Sequence, residues 1–111
     1  MFGLTEKEIS LMKTVFEKYS EVVKVKIYGS RAMGNHRANS DVDFALWGEI
    51  DRHLVGKISR ELDELPLPYT YDVTDYASVD HEALKRHIDK FGKVFFNRES
   101  IYGSTSPRLP E

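Results

Sequence analysis

Residues 22–47 read VVKVKIYGSRAMGNHRANSDVDFALW. The run Val22-Val23-Lys24-Val25-Lys26-Ile27-Tyr28 is alternating and β-branched, which predicts a strand. Its pattern assigns Val23, Val25 and Ile27 to a core face and Lys24 and Lys26 to the other. Gly29-Ser30 ends that strand, residues 31–34 predict a short helical turn, and residues 35–39 a polar, basic loop. A second strand is expected over Asp41 to Trp47, with Val42, Phe44 and Leu46 on one face and Asp41, Asp43 and Ala45 on the other. Residues i and i+2 share a face, so Asp41 and Asp43 project together, about 6–7 Å apart along the strand. Carboxylates at that spacing repel unless a divalent cation sits between them. Gly29 lets backbone approach a ligand closely, and backbone N–H groups with the Ser30 hydroxyl suit phosphate. A helix starting after Ser30 would favour an anion too. A lone Gly-Ser reads as a strand-ending turn, and a lone Asp-x-Asp as a solvated pair. Joined in one strand–turn–strand unit, they suggest a magnesium site beside a phosphate cradle.

The flanking sequence supplies the layers. Thr5-Glu6-Lys7-Glu8 reads as a capping box for a first helix over residues 5–20, with Ile9, Met12, Val15, Phe16 and Tyr19 at helical spacing. Leu54, Val55, Ile58 and Leu62 predict a helix over residues 52–65, stopped by Pro66 and Pro68. A short strand is expected at Tyr69 to Val73. Ser78 or Asp80 can cap a last helix through Lys90, with Leu84, Ile88 and Phe91 on its apolar side and Gly92 at its end. Lys93 to Phe96 predicts an edge strand. The order helix, strand, turn, strand, helix, strand, helix, strand describes an α+β fold, a small mixed sheet backed by helices. One domain over residues 1–100 is expected, with residues 101–111 a disordered tail of turn-forming residues. Trp47 is read as capping the core, and His36, His53, His81 and His87 as surface residues.

The 111 residues fit one domain. A net charge of −2 argues against a general nucleic-acid coat, so no stable nucleic-acid partner is expected. It leaves room for a nucleotide, because a metal can supply positive charge locally. With no cysteines, disulfides and thiolate zinc sites are excluded. No signal-peptide core and no apolar run near the roughly 20 residues of a membrane span is present, so the expected location is cytoplasmic.

GSRAMGNHRANSDVDF (residues 29–44) resembles the signature of the DNA polymerase beta-type nucleotidyltransferase superfamily, a Gly-Ser pair followed after a gap by Ser-Asp-x-Asp. More narrowly, Gly29 to Gly34 followed by Ser40-Asp41-Val42-Asp43 is similar to the minimal nucleotidyltransferases, or MNT proteins, whose length the chain shares. The resemblance implies a nucleotidyltransferase fold and a third carboxylate on a later strand. Asp72 is favoured for it and Asp75 is the reserve. It also implies that Asp41, Asp43 and Asp72 are catalytic and bind two Mg²⁺ ions, with ATP as substrate. Gly29 and Ser30 would hold the phosphates, Arg31 and Arg37 would add charge there, and Ser40 joins the nucleotide-binding set. Asp72 is the residue implied to take the acceptor's proton.

Larger members of the superfamily add a helical acceptor domain, and the expectation here is a catalytic core without one. The acceptor site is then completed by another subunit or by the substrate itself. The resemblance implies a small helical HEPN-type partner, with the MNT protein as antitoxin and adenylylation of the partner as one route of neutralisation; a homo-oligomer is a further alternative. Three functions are weighed: an active Mg²⁺-dependent enzyme modifying a protein, a non-catalytic antitoxin of the same fold, and an aminoglycoside-type nucleotidyltransferase. The intact Gly29-Ser30 and Asp41/Asp43 set favours the first.

Overall fold

A computed structural model describes residues 1–98. The elements are α1 (Glu6–Glu17), β1 (Val22–Tyr28), α2 (Ser30–Met33), β2 (Val42–Gly48), α3 (Arg52–Asp63), β3 (Tyr71–Asp75), a 3₁₀ turn (Tyr76–Ser78), α4 (Glu82–Phe91) and β4 (Lys93–Asn97). They form one four-stranded sheet in the order β3-β2-β1-β4. β1 pairs antiparallel with β2 and with β4, whereas β2 and β3 are parallel. A tight turn can join antiparallel strands; the parallel pair needs a crossover, which α3 supplies. The fold is the expected mixed α+β sheet backed by helices. Residues 101–111, expected to be a disordered tail, lie outside the described residues.

One sheet face carries the main core. Val42, Phe44 and Leu46 of β2 lie with Val25 and Ile27 of β1 under Met12, Val15 and Phe16 of α1 and Leu54, Ile58 and Leu62 of α3, all buried. Phe44 sits at its centre, with ring centroids 5.1 Å from Phe16 and 4.9 Å from Phe95. The opposite face is covered by α4, through a smaller cluster of Tyr28, Ala45 and Ile88. Trp47, expected to cap the core, packs partly buried against this second cluster and stacks on Tyr76 at 4.5 Å, with the Lys24 ammonium 4.5 Å above its ring. No helix among the described residues is long and apolar enough to cross a membrane.

Several boundaries differ from expectation. The capping box at Thr5 and Glu8 is present, but α1 ends at Glu17 rather than Ser20. There Arg98, from beyond β4, donates to the carbonyls of Phe16 and Tyr19 at the helix end and of Val22 at the start of β1. Val23 is 43% exposed instead of buried. β1 pairs Val22 with Gly48 and then Lys24 with Trp47, so Val23 is the extra residue of a bulge and Val22 takes the core position. A second irregularity, between the Val25–Phe96 and Lys26–Val94 pairs, lets both Phe95 and Phe96 reach the core. β3 begins two residues later than predicted, because the Val42 N–H bonds the Thr70 carbonyl and Tyr71 is the first residue in register. α4 is capped by neither Ser78 nor Asp80: His81 Nδ1 accepts from the Leu84 N–H at 3.4 Å.

Candidate active site

The site is built at the end of the polar sheet face, where β1 stops and β2 starts. Gly29 has φ 77° and ψ −155°, a conformation glycine adopts without steric penalty. A Cβ there would lie 2.3 Å from Asp43 Oδ2. Position 29 therefore needs glycine twice over, for its backbone and for the carboxylate that lies against it. The Gly29 carbonyl accepts from the Met33 N–H at 3.1 Å, which forms the short helix α2. Gly34, at φ 85°, closes that helix with its N–H on the Ser30 carbonyl.

Arg31, expected to add charge beside the phosphates, has its guanidinium turned onto backbone carbonyls. Its side chain is buried, 2% exposed. Nε and Nη2 donate to the Ser40 carbonyl at 3.2 and 3.0 Å, Nη2 also to the Ala38 carbonyl at 3.3 Å, and Nη1 to the Phe2 carbonyl at 2.9 Å. The guanidinium lies 5.0 Å from the centroid of the Tyr69 ring. A planar fork with five donors suits such a set of carbonyls. Arg31 thus pins the 35–40 loop and the N-terminus to the entrance of β2. Ser40 is held in the same clamp, and its Oγ accepts from the Arg37 N–H at 2.8 Å to close a tight turn. The Arg37 side chain is exposed.

Two of the three candidate carboxylates come from adjacent positions of paired strands. Asp43 of β2 and Asp72 of β3 are direct partners in the parallel register, and neighbouring strands lie roughly 4.8 Å apart. Asp43 is half-buried and its pKa is pushed up to about 6, first by burial, then by the charges of Asp72 and Asp41, with Arg31 opposing. Asp41 and Asp72 are exposed. The Thr70 hydroxyl donates to Asp41 Oδ1. The Tyr28 hydroxyl, 3.4 Å from both Asp72 Oδ2 and Thr74 Oγ1, donates to Asp72. Burial, followed by the Asp72 and Asp43 charges and opposed by Thr74, pushes the Tyr28 phenol up to about 12, so it stays a donor at neutral pH. Asp75 is used otherwise. It lies three residues beyond Asp72, hence on the other face, and caps the 3₁₀ turn by accepting from the Ala77 N–H and the Ser78 hydroxyl. Of the two candidates for a third acid, Asp72 is the one beside Asp43.

Three oxygen donors of this hardness suit Mg²⁺ rather than a softer ion. Among the described residues, however, no three such side chains are already gathered as a ligand group. What stands ready is the backbone placement and the unrelieved repulsion at Asp43.

Two neighbours escaped the sequence reading. Tyr28, the expected end of the first strand, places its side chain on the polar face with Ala45 and Ile88 and its hydroxyl on Asp72. His87 was assigned to the surface, yet its Nε2 accepts the Gly29 N–H at 3.1 Å. Nothing local in the sequence marks His87, which comes from α4, 58 residues away along the chain.

The family description "Polymerase beta, Nucleotidyltransferase" matches residues 11–101. The chain belongs to this nucleotidyltransferase family. No curated protein sequence matches it. Among solved structures, this nucleotidyltransferase domain is similar to a toxin–antitoxin complex with AMP-PNP, at a TM-score of 0.68 and 20% identity over 91% of this chain and 80% of the other. A second is the MntA–HepT toxin–antitoxin complex, at 0.65 and 14%, covering 90% and 79%. A third is a tri-AMPylated Shewanella oneidensis HEPN toxin with its MNT antitoxin, at 0.65 and 13%, covering 91% and 79%. The nucleotidyltransferase fold expected from residues 29–44 is the fold found, and it is shared with MNT antitoxins.

Proposed function

We propose that this protein transfers a nucleoside monophosphate, AMP from ATP, to a HEPN-type partner protein and thereby acts as the antitoxin of a toxin–antitoxin pair. The observation that carries the reading is the Asp43–Asp72 pairing across β2 and β3, with Asp43 lying against Gly29 of the Gly-Ser turn. That pairing brings the acidic pair and the phosphate turn to one point. The structures of similar fold include a toxin–antitoxin complex with AMP-PNP and an MNT antitoxin in complex with a tri-AMPylated HEPN toxin, which supports the choice of nucleotide and acceptor.

Asp41, Asp43 and Asp72 are the residues that would hold two Mg²⁺ ions. Asp41 and Asp72 are exposed, and their carboxylates accept from Thr70 and Tyr28. Held there, the ions would supply positive charge for the triphosphate and a lowered pKa for the acceptor hydroxyl. Ser30 and the Gly29-Ser30 backbone hold the β and γ phosphates, and Arg37, exposed in the neighbouring loop, adds charge at that end. The acceptor oxygen bonds to the α-phosphorus, the bond to the bridging oxygen breaks, and pyrophosphate leaves. The hydroxyl proton passes to a carboxylate oxygen of Asp72. Arg31 and Ser40 serve by fixing the start of β2, from which Asp41 and Asp43 project.

A second reading, a non-catalytic antitoxin of the same fold, draws on the absence of a gathered ligand group among the described residues. Incubation with Mg²⁺ and α-labelled ATP, with and without a HEPN-type protein encoded beside it, separates the two. Label on the partner that is lost in Asp43→Ala supports the enzyme. A tight complex that never takes label sinks it in favour of the binder. Label appearing on an aminoglycoside alone would replace both.

A further inference from the structure

We propose that His87 is a positioning residue for the triphosphate: its imidazole holds the Gly29 peptide so that Ser30 and Asp43 meet the same ligand. The inference rests on the nucleotidyltransferase reading above and adds to it a residue from α4. Gly29 is held from three sides. Its carbonyl takes the Met33 N–H at 3.1 Å, Asp43 Oδ2 lies 2.3 Å from where a Cβ would be, and its N–H donates to His87 Nε2 at 3.1 Å. The first two leave the Gly29 N–H unengaged; the His87 nitrogen is its acceptor. A peptide N–H left without an acceptor here would favour a different turn.

The imidazole is itself held. Its ring packs nearly perpendicular to Tyr28 at 6.1 Å and tilted against Phe91 at 5.3 Å. The next residue, Ile88, is buried against Tyr28 and Ala45 and anchors α4 to the sheet. An Nε2 that accepts a hydrogen bond carries no proton, so the neutral ring bears it on Nδ1. The same Tyr28 that packs on His87 donates to Asp72. One side-chain cluster therefore touches both the phosphate turn and the third carboxylate.

The test compares His87→Phe, which keeps a ring but no acceptor, with His87→Gln, whose Oε1 reaches about as far as Nε2. In metal-free protein, nuclear magnetic resonance should show the Gly29 amide proton moved upfield and exchanging at least about tenfold faster in the Phe variant, and restored in the Gln variant. Calorimetric affinity for tripolyphosphate with Mg²⁺ should fall about tenfold in His87→Phe and stay within about threefold of wild type in His87→Gln. Should His87→Phe not fold, His87→Asn, too short to reach Gly29, replaces it with the same expected losses. Wild-type affinity in the acceptor-less variant overturns the inference and leaves the nucleotidyltransferase reading standing. A loss that Gln does not recover also overturns it, since the ring and not its nitrogen would then matter. If the wild-type protein binds no tripolyphosphate with Mg²⁺, the site reading falls and the inference with it.

Discussion

β2 shows two surfaces to the molecule, and they obey different physics. Its even-numbered side chains, Val42, Phe44 and Leu46, are wholly buried beneath α1 and α3. Its odd-numbered side chains begin with Asp43, whose carboxyl is pushed up to about 6 by burial and by two like charges. The apolar face lowers the free energy of the fold, and the acidic face raises it in the absence of a cation. A strand separates the two because its side chains alternate, so a destabilised group can sit one residue from the densest packing. The contrast teaches where stability ends and chemistry starts: the boundary is one Cα wide.

The strongest way to break the apolar side is Phe44→Ala. Loss of the ring between Phe16 and Phe95 should cost about 3–5 kcal/mol in denaturant unfolding. Arg31→Met comes next. It strips the donors from the carbonyls of Phe2, Ala38 and Ser40, at a cost of about 2–3 kcal/mol in the same measurement. A change below 0.5 kcal/mol there would mean that the clamp is ornamental.

On the acidic side the sign reverses. Asp43→Asn should stabilise the metal-free protein at pH 7 by about 1–2 kcal/mol, discounted for partial exposure, while abolishing transfer. The pH dependence follows from the same group. Asp43 is raised above its ordinary 3.8 to about 6, so the folded state binds the proton more tightly than the unfolded chain. That contribution is complete below about pH 4 and disappears as pH rises through about 6. Thermal melts of metal-free wild type should lose stability across that window relative to Asp43→Asn, and added Mg²⁺ should recover it at pH 7 in wild type alone. The smallest effect sharpens the boundary itself. Val23→Thr, on the bulge, should change stability by less than about 0.5 kcal/mol, whereas Val22→Ala should cost about 2 kcal/mol.

Much of this was legible because it is local. Thr5 and Glu8 cap α1 within four residues, and the alternation of β2 needs no knowledge of its neighbours. The same holds for Gly29-Ser30 as a turn and for the shared face of Asp41 and Asp43. The site was harder to read wherever a partner came from afar. Nothing near Arg31 in the chain announces that its guanidinium bonds to Phe2. His87 looked like a surface residue, since its bond to Gly29 exists only once α4 lies on the sheet.

Periodicity and turn chemistry, carried by adjacent residues, are what the chain alone determined: the element order, the polar and apolar faces of β2, and the Gly-Ser turn beside two acids. Pairing decided the rest. Register placed Asp72 rather than Asp75 beside Asp43, and a bulge exchanged Val22 for Val23 in the core. Packing set a buried arginine behind the site and an imidazole against its turn. Register and packing are sums over residues far apart in sequence, so no local pattern can contain them.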